Sequence, residues 1–390
     1  MSRARAPLII LLVLTAVYLA NCFTPLRLTH DTVRYITIKE WNEAGRPAGD
    51  NAATEFLPYG YVWFLMALEK IGLARSVVIT FIQLLYFLGS VWFIKKIFGD
   101  SIKGWQLLAL SMLSWASLKF VITPLSEMQF LFFSMGALYF FHKRGWLWAI
   151  VFTALAMLTR TIGFVLIIAF AISLLKVTSK WVAGGAVALV VVLFFVFGQF
   201  GIGSYLSHHS GYFEPLQTNP AGFFANNFRG HLIDWSALVL NAPAPRINLF
   251  GKDIIYLVVG AVSFALLVFL VLKKEVALEI KAYLICYSLI ILNWPLFEPR
   301  LWVPIFPLCI AVILQHKHFA LSAYKVVYIV VGVIALGYYT YTSFNKKVFA
   351  VKQDVAIWRN EYETYFFGKP LSDTAKVVRE PIVTILKRYD

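Results

Sequence analysis

The run Ile254–Leu272 contains no charged side chain, and it is one of several such runs along the chain. A backbone surrounded by lipid has no water to bond with, so a run of this length crosses a bilayer only as a helix or within a closed barrel. A barrel would alternate apolar and polar residues in segments of about ten. Continuous apolar runs point to helices instead. Composition agrees: 60% of residues are hydrophobic and 14% charged, against roughly 25% charged in a soluble domain. The expected fold class is an all-α polytopic membrane protein.

About eleven transmembrane helices are expected on this reading. The first follows Arg3 and Arg5 and runs from Pro7 to Ala20. A signal peptide would begin similarly, but Asn21 stands where a small residue should precede Cys22, so an uncleaved helix is the better reading. The remaining spans are Ser76–Ile94, Trp105–Ile122, Leu125–Phe141, Trp146–Thr159, Thr161–Leu175, Trp181–Phe200, Ile254–Leu272, Ala277–Pro295, Leu301–Gln315 and Leu321–Ser343. Alternate loops then carry Lys95, Lys96 and Lys103, Lys143 and Arg144, Lys176 and Lys180, Lys273, Lys274 and Lys281, and Lys317. All share the side of Arg3 and Arg5, as the positive-inside rule requires. Counting Phe56–Leu68 as a span would break that agreement downstream. Pro58 and Gly60 mark it as an interfacial or re-entrant segment.

The net charge of +15 is accounted for by this topology and by anionic headgroups, and nucleic acid is not an expected partner. Cys22, Cys286 and Cys309 lie in apolar runs without metal spacing and imply no disulfide framework. Residues 1–343 form one transmembrane domain, with external loops at 24–75 and 201–253. Residues 344–390 form an external amphipathic cap.

Several polar residues resist a purely structural reading, and all fall on the outer side. Thr29–Trp41 has the pattern of an interfacial helix capped by Thr29, which sets Asp31, Arg34 and Tyr35 on one face. Asp31 is either a first-turn acid favoured by the helix dipole or a reactive carboxylate. Arg160 ends two short helices; an Arg at mid-bilayer costs about 2.5–3.5 kcal/mol on insertion scales. It is a snorkelling helix-end residue or an anion ligand. Glu298 and Arg300 sit in a proline-rich connection, where they pair with each other or serve a ligand. Lys119 and Glu127 bracket another outer turn and are spaced for mutual neutralisation. The loop 201–253 offers Tyr205, His208, His209, Tyr212 and His231, which suit sugar contacts or a headgroup belt. His208 and His209 are adjacent and point apart, and no His lies at i+4 of another, so no metal site is indicated.

Four places together resemble the GT-C superfamily of integral-membrane glycosyltransferases, the branch of protein O-mannosyltransferases, the lipid A aminoarabinose transferase and mannosyltransferases. They are His30-Asp31 with Tyr35 in the first external loop; Leu57-Pro58-Tyr59-Gly60; Pro124-Leu125-Ser126-Glu127 followed by Leu158-Thr159-Arg160-Thr161; and Pro299-Arg300-Leu301-Trp302-Val303-Pro304. Leu301 departs from the family's Tyr after the Arg, and the first loop lacks a second adjacent acid. The resemblance implies transfer of a sugar from a polyprenyl-phosphate donor to a hydroxyl on a lipid, glycan or protein, with inversion and no required cofactor. A divalent metal is possible in such chemistry but is not indicated here. It further implies Asp31 as base, Arg300, Arg160 and Lys119 as phosphate ligands, and His30, Arg34, Tyr35, Glu127 and Glu298 as supports. The absence of an Asn-x-Ser/Thr sequon favours a bacterial inner membrane, with the site on its extracytoplasmic face. A transporter or flippase of lipid-linked saccharides, or a glycan ligase, would share the basic cavity. The chain shows no internal repeat of the kind transporters carry. Convergence of Asp31, Arg160 and Arg300 separates transfer from transport.

Overall fold

The computed structural model describes residues 5–46, 57–177, 184–185, 210–243, 252–316, 322–351, 358–371 and 378–390, and every regular element among them is helical. Almost all of the expected span Trp181–Phe200, and the candidates Tyr205, His208 and His209, lie outside the described residues.

The first helices are α1 (Arg5–Cys22), α2 (His30–Glu43), α3 (Tyr59–Lys70) and α4 (Ser76–Phe98). The expected span Trp105–Ile122 is broken into α5 (Gly104–Met112) and α6 (Trp115–Val121). Then come α7 (Glu127–His142), α8 (Trp146–Thr159) and α9 (Val165–Val177). The segment expected as a second outer loop contains α10 (Glu214–Thr218) and a long α11 (Pro220–Val239). The bundle continues with α12 (Lys252–Val271), α13 (Leu278–Leu292), α14 (Phe306–Gln315) and α15 (Ser322–Phe344). Three short helices follow: α16 (Lys346–Val351), α17 (Arg359–Phe367) and α18 (Glu380–Tyr389).

Among the described residues three helices, at Ser76–Ser101, Asp253–Val271 and Tyr324–Phe344, are long and apolar enough to cross a membrane, and shorter apolar helices accompany them. Their outward faces carry exposed Ile254, Val258, Val262 and Phe269 on α12, and Val326, Val330 and Val333 on α15. Soluble proteins rarely leave such large apolar surface to water. The pattern is that of a helical membrane protein.

Direction can be read from paired ends. His142, at the end of α7, meets Glu279 at the start of α13 (Nδ1 to Oε1, 2.7 Å). Phe141 stacks on Phe170 of α9 at 4.0 Å. Lys143 and Arg144, after α7, and Lys281, in the first turn of α13, therefore gather at one end of the bundle. The starts of α2 and α7 and the end of α8 gather at the other.

The α5/α6 break leaves backbone groups unbonded inside the bundle, where each has to find another partner. Tyr18 donates to the Met112 carbonyl (2.9 Å), Tyr328 to that of Leu110 (3.2 Å) and Asn241 to that of Leu113 (2.9 Å). Asn241 Oδ1 also accepts from the Trp115 amide at 3.0 Å. Asn241 reaches this depth because α11 enters the bundle beside α12. Trp235 donates to Ser263 across 28 positions, and a Cβ on Gly260 would meet the carbonyl of Leu232, again 260 − 232 = 28. Equal offsets mean parallel helices. Asn241 has φ +56°, a left-handed conformation that Asn tolerates better than most residues. A Cβ on Gly332 would lie 2.4 Å from Asn241 Nδ2 and 2.7 Å from the Leu113 carbonyl, so α15 reaches the break only with glycine there.

Replacing Asn241 with Leu strands a buried carbonyl and amide and should lower stability by about 2 kcal/mol or more. Thermal melting in detergent checks this, with Gly337→Ala as the control, since nothing lies within 4 Å of a Cβ there.

Candidate functional site

Thr29 caps α2 by accepting from the Thr32 amide at 3.1 Å. This places Asp31 in the first turn, where the helix dipole favours a negative charge. Thr32 donates to the Pro124 carbonyl (3.2 Å) and Tyr35 to Ser126 (3.0 Å). The α2 helix is thereby fixed to the Thr123–Ser126 turn that opens α7. Glu127 is the first residue of α7 and only 1% exposed.

Arg160 ends α8, and its guanidinium donates to Glu127 Oε1. Gly60 and Gly163 permit the close approach of backbone around this end. A Cβ on Gly60 would lie 2.7 Å from the Leu158 carbonyl, and one on Gly163 would lie 2.7 Å from the Met157 amide. The Leu57–Gly60 stretch is thus the start of a helix, α3, seated on the end of α8. Its Tyr61 meets Tyr35 edge-on at 4.9 Å.

Arg300 comes from the short 3-10 turn Pro299–Leu301. Its Nη1 lies 2.5 Å from Asp31 Oδ2 and 4.0 Å from Glu127 Oε1, and its Nε contacts Glu298. Arg34 lies 3.6 Å from Asp31 Oδ1. Asp31, Glu127 and Glu298 are therefore interleaved with Arg34, Arg160 and Arg300 in one cluster. Lys119 of α6 adds positive charge near Glu298. Burial pushes the Asp31 carboxyl up, but Arg300, with help from Arg34 and Arg160, more than offsets this and holds it below its ordinary value.

The other sequence candidates separate from this cluster. His30 packs its ring against Trp358 at 5.1 Å. His231 is fully buried, and its Nε2 donates to the Trp294 carbonyl at 2.7 Å; that burial argues against a sugar-facing role. Tyr212 is exposed on the segment before α10. Among the described residues no group of three or more His, Cys, Asp or Glu side chains is placed to hold a metal ion.

A second charged network was missed in the sequence. Lys39, on α2, is completely buried and bonds Glu43 (2.9 Å) and Glu69 (3.5 Å). Arg388 of α18 bonds Glu69 (2.9 Å) and Glu40 (3.0 Å). Tyr362 of α17 accepts from the Leu28 amide at 2.8 Å and donates to the Leu26 carbonyl at 2.7 Å. The C-terminal helices therefore clasp α2 just behind Asp31. Only the i, i+4 spacing of Lys39 and Glu43 was visible in sequence.

No protein-family model, curated protein or solved structure matches this chain.

Two outcomes are expected. Glu127→Gln weakens a buried charge pair and should destabilise by about 3 kcal/mol, the lower end for breaking such pairs, measured by thermal melting. Asp31, with its lowered folded value, contributes stability that is fully present above the ordinary carboxylate value of about 4. That contribution disappears as pH falls through the lowered value. The melting-temperature advantage of the wild type over Asp31→Asn should therefore be full at pH 7 and shrink below about pH 4; an advantage independent of pH would contradict this.

Proposed function

We propose that this chain is an integral-membrane glycosyltransferase of GT-C type with about eleven spans. It moves a sugar from a polyprenyl-phosphate donor to an acceptor hydroxyl at the outer face of a bacterial inner membrane. The observation that carries the reading is the meeting of Asp31, Arg160 and Arg300 in one cluster at the end of the bundle away from the lysine-bearing loops. A transfer step needs a base beside the cations that hold the phosphate, and Asp31 stands beside Arg300. This favours transfer over transport.

In the proposed step the acceptor oxygen bonds the anomeric carbon from the face opposite the phosphate, and the carbon–oxygen bond to phosphate breaks with inversion. Asp31 takes the acceptor proton. Arg300 and Arg160 hold the phosphate oxygens as negative charge develops there, through charge-assisted hydrogen bonds. Lys119 adds positive charge at the edge, and Arg34 serves beside Asp31. Glu127 positions both arginines. The exposed apolar faces beside α3 suit the lipid tail, and acceptor recognition falls to the segment containing Tyr212 and to the C-terminal cap.

The test is purified protein incubated with radiolabelled polyprenyl-phosphate sugars and candidate lipid, glycan and peptide acceptors. Asp31→Asn should lower transfer by about 10²–10⁴-fold, the usual contribution of a single base, while the protein remains folded. Full transfer by Asp31→Asn removes the base assignment. Movement of the donor across vesicles with no sugar transferred would favour the flippase.

A further inference from the structure

Resting on the transferase reading, the structure poses a conflict: the base and the phosphate ligand occupy each other. Asp31 Oδ2 lies 2.5 Å from Arg300 Nη1. A carboxylate held this way is a poor proton acceptor, and a guanidinium spent on it has fewer donors for a phosphate. One contact has to give way when donor arrives.

The two arginine–carboxylate pairs are not equivalent. Glu127 is 1% exposed, and its Oε2 is buried with no hydrogen-bond partner among the described residues. Moving it from Arg160 would leave a second buried oxygen unbonded, so that pair resists exchange. Asp31 differs on every count. Its side chain is 18% exposed, it sits in the first turn of an interfacial helix, and Arg34 waits one turn on at 3.6 Å. Arg34, at 36% exposure, is the more solvent-screened partner and restrains the carboxylate less. Arg300 meanwhile keeps Glu298 and Glu127 beside it when Asp31 leaves.

We propose that the Asp31–Arg300 pair is a latch opened by substrate: the lipid-borne phosphate binds by taking Arg300 from Asp31, which passes to Arg34 and only then faces the acceptor. Donor must bind before acceptor can be activated. An acceptor that enters first meets a carboxylate already occupied, which guards against unproductive proton transfer.

The experiment is binding of undecaprenyl phosphate to the full chain in detergent, followed by thermal shift or microscale thermophoresis, with inorganic phosphate titrated in parallel. Asp31→Asn removes the competitor for Arg300 and should tighten the lipid phosphate on the order of tenfold, the lower end of the value of a charge-assisted hydrogen bond. Arg34→Met should weaken binding in the wild-type background and weaken it less beside Asp31→Asn, because the part of its effect that runs through Asp31 is then gone. Unchanged or weaker binding in Asp31→Asn overturns the latch, and so does an equal loss from Arg34→Met in both backgrounds. Asp31→Ser repeats the first arm should the Asn variant not fold. Tightening with both ligands assigns the exchange to the anion alone; tightening with the lipid only assigns it to the lipid-borne phosphate. The transferase reading fails separately. Tighter phosphate binding by Asp31→Asn with no sugar transfer by the wild type leaves the latch and removes that reading, whereas transfer by the wild type that Asp31→Asn loses at unchanged phosphate affinity does the reverse.

Discussion

The buried carboxylate of Glu127 is the fixed point of this structure. It stands at the start of α7, bonds Arg160 from the end of α8 and lies 4.0 Å from Arg300 in the turn before α14. Three segments far apart in sequence are thereby brought to one place. A charge this deeply buried is tolerated only with partners, so the position of Glu127 constrains where both arginines can be. Asp31 joins from the opposite side, because Thr32 and Tyr35 tie α2 to the turn that opens α7.

That arrangement makes α2 the element whose placement matters most, and the rest of that end of the bundle secures it. Its exposed end would otherwise be free to tilt, carrying Asp31 away from Arg300. Lys39 and Arg388 link it to α3 and α18 through Glu43, Glu69 and Glu40. Tyr362 fastens the chain just before it. The C-terminal helices thus act on the cluster at a distance, through the orientation of one short helix. Glycines serve the same end from below, since α3 meets the end of α8 only where Gly60 has no side chain.

Much of this was legible in the sequence, for identifiable physical reasons. Apolar runs and capping residues are local signals, so α2, α8 and α12 lie close to their expected bounds. The loop charges put Asp31, Glu127, Arg160 and Arg300 on one expected side, and these four side chains meet in one cluster. Partner choice was harder. Glu127 bonds Arg160, 33 positions along the chain, and neither residue names the other by its spacing. The α5/α6 break has no proline to announce it. It exists because Tyr18, Tyr328 and Asn241 can satisfy the freed carbonyls from three other elements. Residues 201–253 were read as a loop from their polar and aromatic content; that content instead equips α11 to bury Trp235 and His231 inside the bundle.

An experimental map of the protein with a bound polyprenyl phosphate tests the central claim most directly. The account predicts phosphate oxygens within hydrogen-bonding distance of Arg300 and Arg160, with the lipid tail leaving between helices near α3. A phosphate bound at the lysine-bearing end, or one contacting neither arginine, would contradict it.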